Sequence, residues 1–153
     1  MKIGEALSEL KSKKSQLARL IKIRKDTMYV EEDKAPKFEA QELTEQINNM
    51  IDEIRKLKIQ IIKTNINTNI GDITLQEAII KIGDLRSHIS NYSDLVKYSK
   101  EYGLFDTYVD KDKIELKPQI SEINIEEKIK SLEKEKVKLD NKIQEANWKT
   151  DLV

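Results

Sequence analysis

Residues 39–67 decide the fold, and they read EAQELTEQINNMIDEIRKLKIQIIKTNIN. Apolar side chains recur along this stretch at steps of three and four residues, which is the spacing of one face of an α-helix. Seven of the eight repeat positions are apolar, and the set is Ala40, Leu43, Ile47, Met50, Ile54, Leu57, Ile61 and the exception Thr64. At 1.5 Å per residue the stretch predicts a helix roughly 43 Å long. A helix of that length indicates an elongated molecule.

The same stretch also carries apolar residues outside this face. They are Ile51, Ile59, Ile62 and Ile66. Their added width favours a bundle of several helices over an isolated two-stranded coiled coil, because one partner helix covers only a narrow stripe. We therefore expect copies of the chain to associate into a homo-oligomer through their helix faces.

Three further stretches repeat the helical spacing, at about 2–26, 75–101 and 125–147. Thr74 and Asn124 precede the last two, and each is followed three residues later by Glu, a pattern typical of the start of a helix. The polar run between the second and third helices is expected to end the second helix, since Asn and Thr side chains compete for backbone hydrogen bonds. Gly71 suits the turn.

The stretch before the last helix has a different pattern. Residues 104–120 contain LFDTYV and IELKPQI around the turn-like DKDK, which predicts a small β-hairpin. Because a lone hairpin is barely stable in water, its strands must pack on helices or pair with those of another copy. The fold prediction is therefore one mainly α domain over 1–153, an elongated antiparallel four-helix bundle or coiled coil with a small hairpin before the last helix.

Composition excludes several classes of function. The 28 basic and 28 acidic residues cancel, so the chain lacks the net field that draws nucleic acid, and no nucleic-acid partner is expected. There is no Cys and one His, which argues against a metal centre, a cofactor or a catalytic thiol. No stretch reaches the ~20 apolar residues of a membrane span, and the N-terminus does not resemble a signal peptide, so a cytoplasmic location is expected.

Charge is unevenly distributed along the chain. Residues 1–30 carry eight basic and three acidic residues, whereas residues 31–53 carry eight acidic and two basic ones. We expect these two stretches to complement each other, either as neighbouring helices or across subunits.

Five polar residues are candidates for a ligand site: Thr64, Asn65, Asn67, Asp84 and His88. The first three could present amides and a hydroxyl to a small polar molecule, or could simply terminate the helix. Asp84 and His88 lie four residues apart on one helix face, as a carboxylate that orients a general base would, or as a paired surface histidine. No catalytic residue is assigned, and the sequence leaves enzymatic activity undecided while leaning against it.

The C-terminal residues Gln144, Asn147 and Trp148 follow the last apolar stripe and are candidates for an interface. A large aromatic side chain near a chain end favours docking on another helix or subunit, with the amides satisfying buried backbone groups. A ligand pocket covered by Trp148 is the alternative.

Residues 140–152 resemble the C-terminal motif of a family of small uncharacterised bacterial helical proteins, some of them labelled septicolysin. Thr64-Asn65 with Thr68 is similar to that family's Thr-Asn-x-x-Thr, and residues 74–85 are similar to a second motif, although Gly83 stands where members commonly have Arg. The resemblance spans nearly the whole chain. It implies a helical fold without an established activity.

Four functions remain open from the sequence. The first is a non-enzymatic structural or interaction protein that forms homo-oligomers through helix faces and the hairpin. The second is a protein that binds a small molecule or divalent metal, or an enzyme, with a polar site around Asn65, Asp84 and His88. A holdase that resembles prefoldin in outline is the third, and a cytolysin, as the family label implies, is a distant fourth.

Overall fold

The structure, a computed structural model, describes residues 1–105 and 118–153, with side chains described in 1–98 and 118–153. Four helices make up these residues: α1 (Ile3–Asp26), α2 (Ala40–Asn67), α3 (Leu75–Phe105) and α4 (Glu122–Lys149). The prediction of a mainly helical fold is confirmed. The fold agrees with the sequence because the apolar spacing of each stretch has the period of an α-helix.

The predicted hairpin at about 104–120 lies mostly outside the described residues. The prediction is wrong for the first residues of this range, because Leu104 and Phe105 belong to α3 and not to a strand. A short window of alternating residues cannot separate the period of a strand from that of a helix, and an established helix gains one hydrogen bond for each residue that it adds. Within 1–105 and 118–153, extended pairing consists of the isolated bridges Lys2↔Asp151 and Asn69↔Thr74.

α1 and α2 pack side by side and run antiparallel. Arg24, near the end of α1, donates from Nη1 to Thr44 Oγ1 near the start of α2, at 3.1 Å. Lys13 Nζ, in the middle of α1, donates to Glu53 Oε2 in the middle of α2, at 2.7 Å. Residue numbers fall along one helix as they rise along the other, so the basic first stretch lies against the acidic second one. This contact is the complementarity expected from the charge distribution.

The core between these helices is formed by the apolar face predicted for α2. Ala6 of α1 packs with Leu57 and Ile61 of α2, and the half-buried Leu10 and Leu152 close the cluster. The buried apolar residues of α2 are Leu43, Ile47, Ile54, Leu57 and Ile61. Since they recur at helical spacing, they form one continuous seam beneath α1.

A tight turn joins α2 to α3. Leu75 N–H donates to Thr68 O at 2.7 Å, and Ile70 N–H donates to Ile73 O at 2.9 Å. Gly71 has φ +79°. Gly is favoured at positive φ because it lacks a Cβ. The expectation that Gly71 forms a turn is confirmed.

The described chain divides into two compact units. The first comprises Met1–Gln76 and Gln144–Val153, and the second comprises Glu77–Ile143. In the second unit, Lys81 Nζ of α3 lies 2.8 Å from Glu135 Oε1 of α4. Its buried apolar residues are Ala78, Ile82, Leu85, Ile125, Leu132 and Ile143. A single domain over 1–153 stays a prediction. No helix in the described part of the chain combines the length and the apolar content needed to cross a bilayer.

Candidate functional site

The last four residues, 150–153 (the tail), bind the start of α1. Ile3 N–H donates to Thr150 O at 3.1 Å, and Leu152 N–H donates to Met1 O at 2.8 Å. The first N–H groups of a helix have no partner within the helix, so Thr150 O satisfies a donor that would otherwise be unpaired. The tail therefore closes the N-terminal end of α1.

Lys2 reinforces this closure. Its Nζ donates to Lys149 O at 3.0 Å and to Asp151 Oδ2 at 2.8 Å. The first bond satisfies a carbonyl at the end of α4, where a cation also complements the helix dipole. The backbone N–H of Lys2 donates to Glu5 Oε2 at 2.7 Å, as in a capping box. The beginning of α1 and the end of α4 are thus joined by backbone and side-chain bonds.

Thr64 connects the tail to α2. Its hydroxyl donates to Gln60 O at 2.9 Å and accepts from Val153 N–H at 3.0 Å. The side chain is buried. Because the hydroxyl already has a donor and an acceptor role, Thr64 links two parts of the structure, and a ligand would have to displace Val153 to reach it.

Asn65 differs from its neighbour. Its residue is 5% exposed, and its Oδ1 is buried without a hydrogen-bond partner among the described residues. A buried acceptor left unpaired costs about 1–3 kcal/mol, so native structures seldom retain one without a reason. Among the predicted ligand residues, Asn65 is therefore the one whose buried acceptor lacks a hydrogen-bond donor in the described structure. Asn67, the last residue of α2, is exposed.

The three predicted interface residues have different environments. Asn147 is buried, whereas Gln144 is exposed and Trp148 is 60% exposed. The indole of Trp148 lies on α1 beside Gly4, since a Cβ at Gly4 would meet ring atoms at 3.0 Å. Sequence reasoning missed Gly4. The signal available was a glycine in the first turn of a helix, where the chain needs no break.

Asp84 and His88 belong to α3 in the second unit, and both are exposed. Their spacing of four residues places them on one face of that helix, as predicted. In the described parts of the chain, no three His, Cys, Asp or Glu side chains are grouped so as to hold a metal ion. The described structure thus gives these residues neither burial nor a third ligand.

Ion pairs shift the pKa of several exposed groups. The hydrogen bond to Glu53 raises the pKa of Lys13, and the same bond lowers the pKa of Glu53. Lys2 lowers the pKa of the Asp151 carboxyl through a hydrogen bond and through its charge. Each shift favours the charged forms that make the pair. These pairs therefore hold helices and tail in place over the neutral pH range and show no sign of a group tuned for proton transfer.

The outer face of α2 is a second feature that the structure brings out. We define the outer face as Ile51, Ile59, Ile62 and Ile66, which are 42%, 46%, 50% and 52% exposed. The repeat that includes Leu57 and Ile61 is buried against α1, so the same helix carries one covered and one uncovered apolar face. Arg55 lies within the outer face, one turn from Ile51 and one turn from Ile59, and Lys58 and Lys63 flank it. Contiguous exposed apolar groups with a polar rim are typical of interaction surfaces.

A comparison with solved structures supports the fold, and the comparisons with known proteins leave the function open. The sequence pattern of a family of proteins of unknown function matches residues 7–152. A crystal structure of a functionally unknown conserved protein from Corynebacterium diphtheriae is similar to this chain with a TM-score of 0.86 and 25% identity. The match covers 100% of this chain and 99% of the other. No curated protein matches.

Proposed function

We propose a function for this chain, which belongs to the family of unknown function DUF6847. It is a non-enzymatic interaction protein that assembles with further copies of itself. The single observation that carries this proposal is the outer face of α2, where four isoleucines are between 42% and 52% exposed. Transfer of such side chains from water to a protein interface is favourable in proportion to the area covered.

The arrangement we propose is an elongated antiparallel helical bundle in the cytoplasm. The antiparallel packing of α1 on α2 supports this arrangement. Neither comparison refers to a septicolysin, and the cytolysin alternative has no feature of the described residues in its favour.

Mass measurement in solution tests the assembly. Light scattering coupled to size exclusion is expected to give a mass above the 17.8 kDa of one chain as concentration rises into the micromolar range. Ile62→Lys should lower that mass, because a charge on the outer face would be desolvated in the assembly. Val137→Lys is the matched control, since Val137 is 54% exposed on α4. A single-chain mass at every concentration contradicts the proposal.

A second candidate function is favoured by the buried Oδ1 of Asn65, which lacks a donor among the described residues. In this proposal a small ligand with a donor group, or a divalent cation, binds at the C-terminal end of α2. The site predicted from the sequence also included Asp84 and His88. Because these two residues lie on α3, substituting them tests their contribution separately from that of Asn65.

Thermal unfolding tests this second function. Ammonium, small amines, nucleotides and divalent cations are each added to the wild type, to Asn65→Leu and to His88→Ala. A bound compound at 100 times its Kd adds about 2.7 kcal/mol to the unfolding free energy. The proposal expects a rise in melting temperature for the wild type that Asn65→Leu abolishes. No rise with any compound would count against it, and a rise lost only in His88→Ala would move the site to α3.

A further inference from the structure

We infer that the outer face of α2 pairs with the outer face of α2 in a second copy, antiparallel, about a two-fold axis near residue 54. This inference rests on the assembly proposed above and names its interface and orientation. The wide apolar face alone does not choose a partner. The distribution of charge along α2 does.

α2 is electrically divided at its middle. Within this helix, residues 40–54 carry four acidic and no basic side chains, whereas residues 55–67 carry four basic and no acidic ones. Opposite charges near the two ends of a helix would also complement its dipole, but that effect is confined to the first and last turn. The division here falls between Glu53 and Arg55, far from both ends, so the dipole does not account for it. Glu53 pairs with Lys13 of α1, so Glu45 and Asp52 carry the acidic charge that a partner copy would meet.

This polarity distinguishes the possible orientations of a second α2. Two parallel helices would place the acidic half against the acidic half and the basic half against the basic half. Two antiparallel helices place each acidic half against a basic half. Like charges across an interface suppress wrong pairings, so the charge pattern selects the antiparallel arrangement. A two-fold axis is also the commonest symmetry of soluble homodimers.

Individual residues fix the register. Glu45 and Lys63 are 18 residues apart, about five turns of helix, so they lie on the same edge of α2. Residue 54 is their midpoint, and a two-fold axis there brings Glu45 of one copy opposite Lys63 of the second copy. Asp52 and Lys56 have the same midpoint. Both pairs therefore form in one register without adjustment.

These side chains are available for such a contact. Glu45 and Lys63 are exposed, and neither forms an ion pair with the described residues of its own chain. Asp52 and Arg55 pair with each other within α2, at the centre of the face. In the second copy the same two residues lie opposite in reverse order, which extends the pair into a network of four charges.

An anionic membrane is the other surface that fits exposed isoleucines and lysines. It suits the basic half of α2. It would repel Glu45 and Asp52 on the acidic half of the same helix, so a partner that is itself divided into a basic and an acidic half fits better. A second copy of α2 is divided in this way because it has the same sequence.

The size of the face sets the expected affinity. α2 has 28 residues and is roughly 42 Å long, and a contact about 10 Å wide covers roughly 400 Å² on each copy. Interfaces of this size belong to the small and weak class. We expect a dimer with a Kd in the micromolar range.

A charge exchange tests the register. Glu45→Lys should raise the Kd about tenfold, because two attractive pairs in each dimer become repulsive. Lys63→Glu should do the same. The double variant restores both pairs with their signs reversed and should return the Kd to within about threefold of the wild type. Both residues are exposed, and circular dichroism verifies that each variant is folded. Sedimentation equilibrium measures the Kd.

Cysteine crosslinking tests the orientation independently. The chain has no Cys, so a single introduced thiol reports only its own position. Arg55→Cys lies beside the proposed axis and should form a dimer-linking disulfide on mild oxidation. Ile66→Cys is about 36 Å along the helix from its copy in the antiparallel arrangement and should not crosslink.

The outcomes separate this inference from the proposal on which it rests. A wild type that stays a monomer overturns both. A dimer whose Kd is unchanged by either charge reversal keeps the assembly and overturns the α2 interface. Crosslinking at both Arg55→Cys and Ile66→Cys indicates parallel helices and overturns the orientation. Binding to vesicles of phosphatidylglycerol and phosphatidylcholine by a monomeric wild type overturns the second copy as the occupant.

Discussion

The two faces of α2 are both rich in isoleucine and leucine, but one is buried and the other is exposed. The inner face, with Leu57 and Ile61, is covered by α1 and by Leu152 of the tail. The outer face, with Ile59 and Ile62, has about half of each side chain exposed. Apolar residues at helical spacing therefore show that a face needs a partner, and only the structure shows whether the chain supplies that partner itself.

The largest expected effect tests the inner face. Leu57→Ala removes a side chain packed among α1, α2 and the tail, and should lower the unfolding free energy by about 2–5 kcal/mol, since a buried leucine leaves a cavity. Ile59→Ala on the outer face is the matched control. At concentrations well below the dimer Kd it should cost less than about 1 kcal/mol. Urea unfolding of both variants measures the difference.

Equal losses for these two substitutions would break the comparison. They would mean that the outer face is as well covered as the inner one in the monomer. A loss at Ile59→Ala that grows with protein concentration would sharpen the comparison instead, because only a partner copy makes stability depend on concentration.

The tail is the next test, because it completes the inner face. Leu152→Ala should lower the unfolding free energy by about 1–2 kcal/mol, less than for Leu57→Ala, since Leu152 is half-buried. Val153→Ala is the control, because its side chain is 73% exposed and its bond to Thr64 comes from the backbone. Thermal unfolding compares the two. An equal effect would show that the tail is held by its backbone bonds alone.

Asn65 allows a smaller test at the edge of the inner face. Asn65→Leu replaces a buried, unpaired acceptor with an apolar group of similar size, and should leave stability unchanged or raise it by about 1 kcal/mol. Asn67→Leu, at an exposed position on the same helix end, is the control. Urea unfolding without added ligand is the measurement. A clear loss for Asn65→Leu would show that a donor normally satisfies Oδ1.

Much of the fold follows from the sequence because the local signals agree. The predicted start of α3 at residue 75 and the end of α2 at 67 are the observed ones, since capping residues and a turn glycine mark them. The hairpin prediction failed at Leu104 and Phe105 because a few alternating residues also continue a long helix. The sequence also indicated the contact between the basic α1 and the acidic first half of α2, which Lys13 and Glu53 make.

The candidate site was less predictable, because it depends on residues distant in sequence. The polar character of Thr64 and Asn65 was visible, but nothing local shows that Val153 binds the first and leaves the second unpaired. The contact of Gly4 with Trp148 joins the two ends of the chain. Such contacts are consequences of how the helices pack, and the period of an apolar pattern carries no information about them.

The smallest expected effect concerns the ion pair of Lys2 and Asp151, whose side chains are 36% and 71% exposed. Lys2 lowers the pKa of Asp151 below the value it has in the unfolded chain. The pair therefore contributes fully above the unfolded-state pKa, and the contribution is lost as pH falls through the lower folded-state pKa, below about pH 4. Asp151→Asn should thus be slightly less stable than the wild type at pH 7 and equal to it near pH 2. Salt should reduce the difference at pH 7, since exposed charges are screened. Carboxyl-carbon NMR shifts of Asp151 measure the pKa directly, and a midpoint at or above that of a free aspartate would show that Lys2 does not hold the tail.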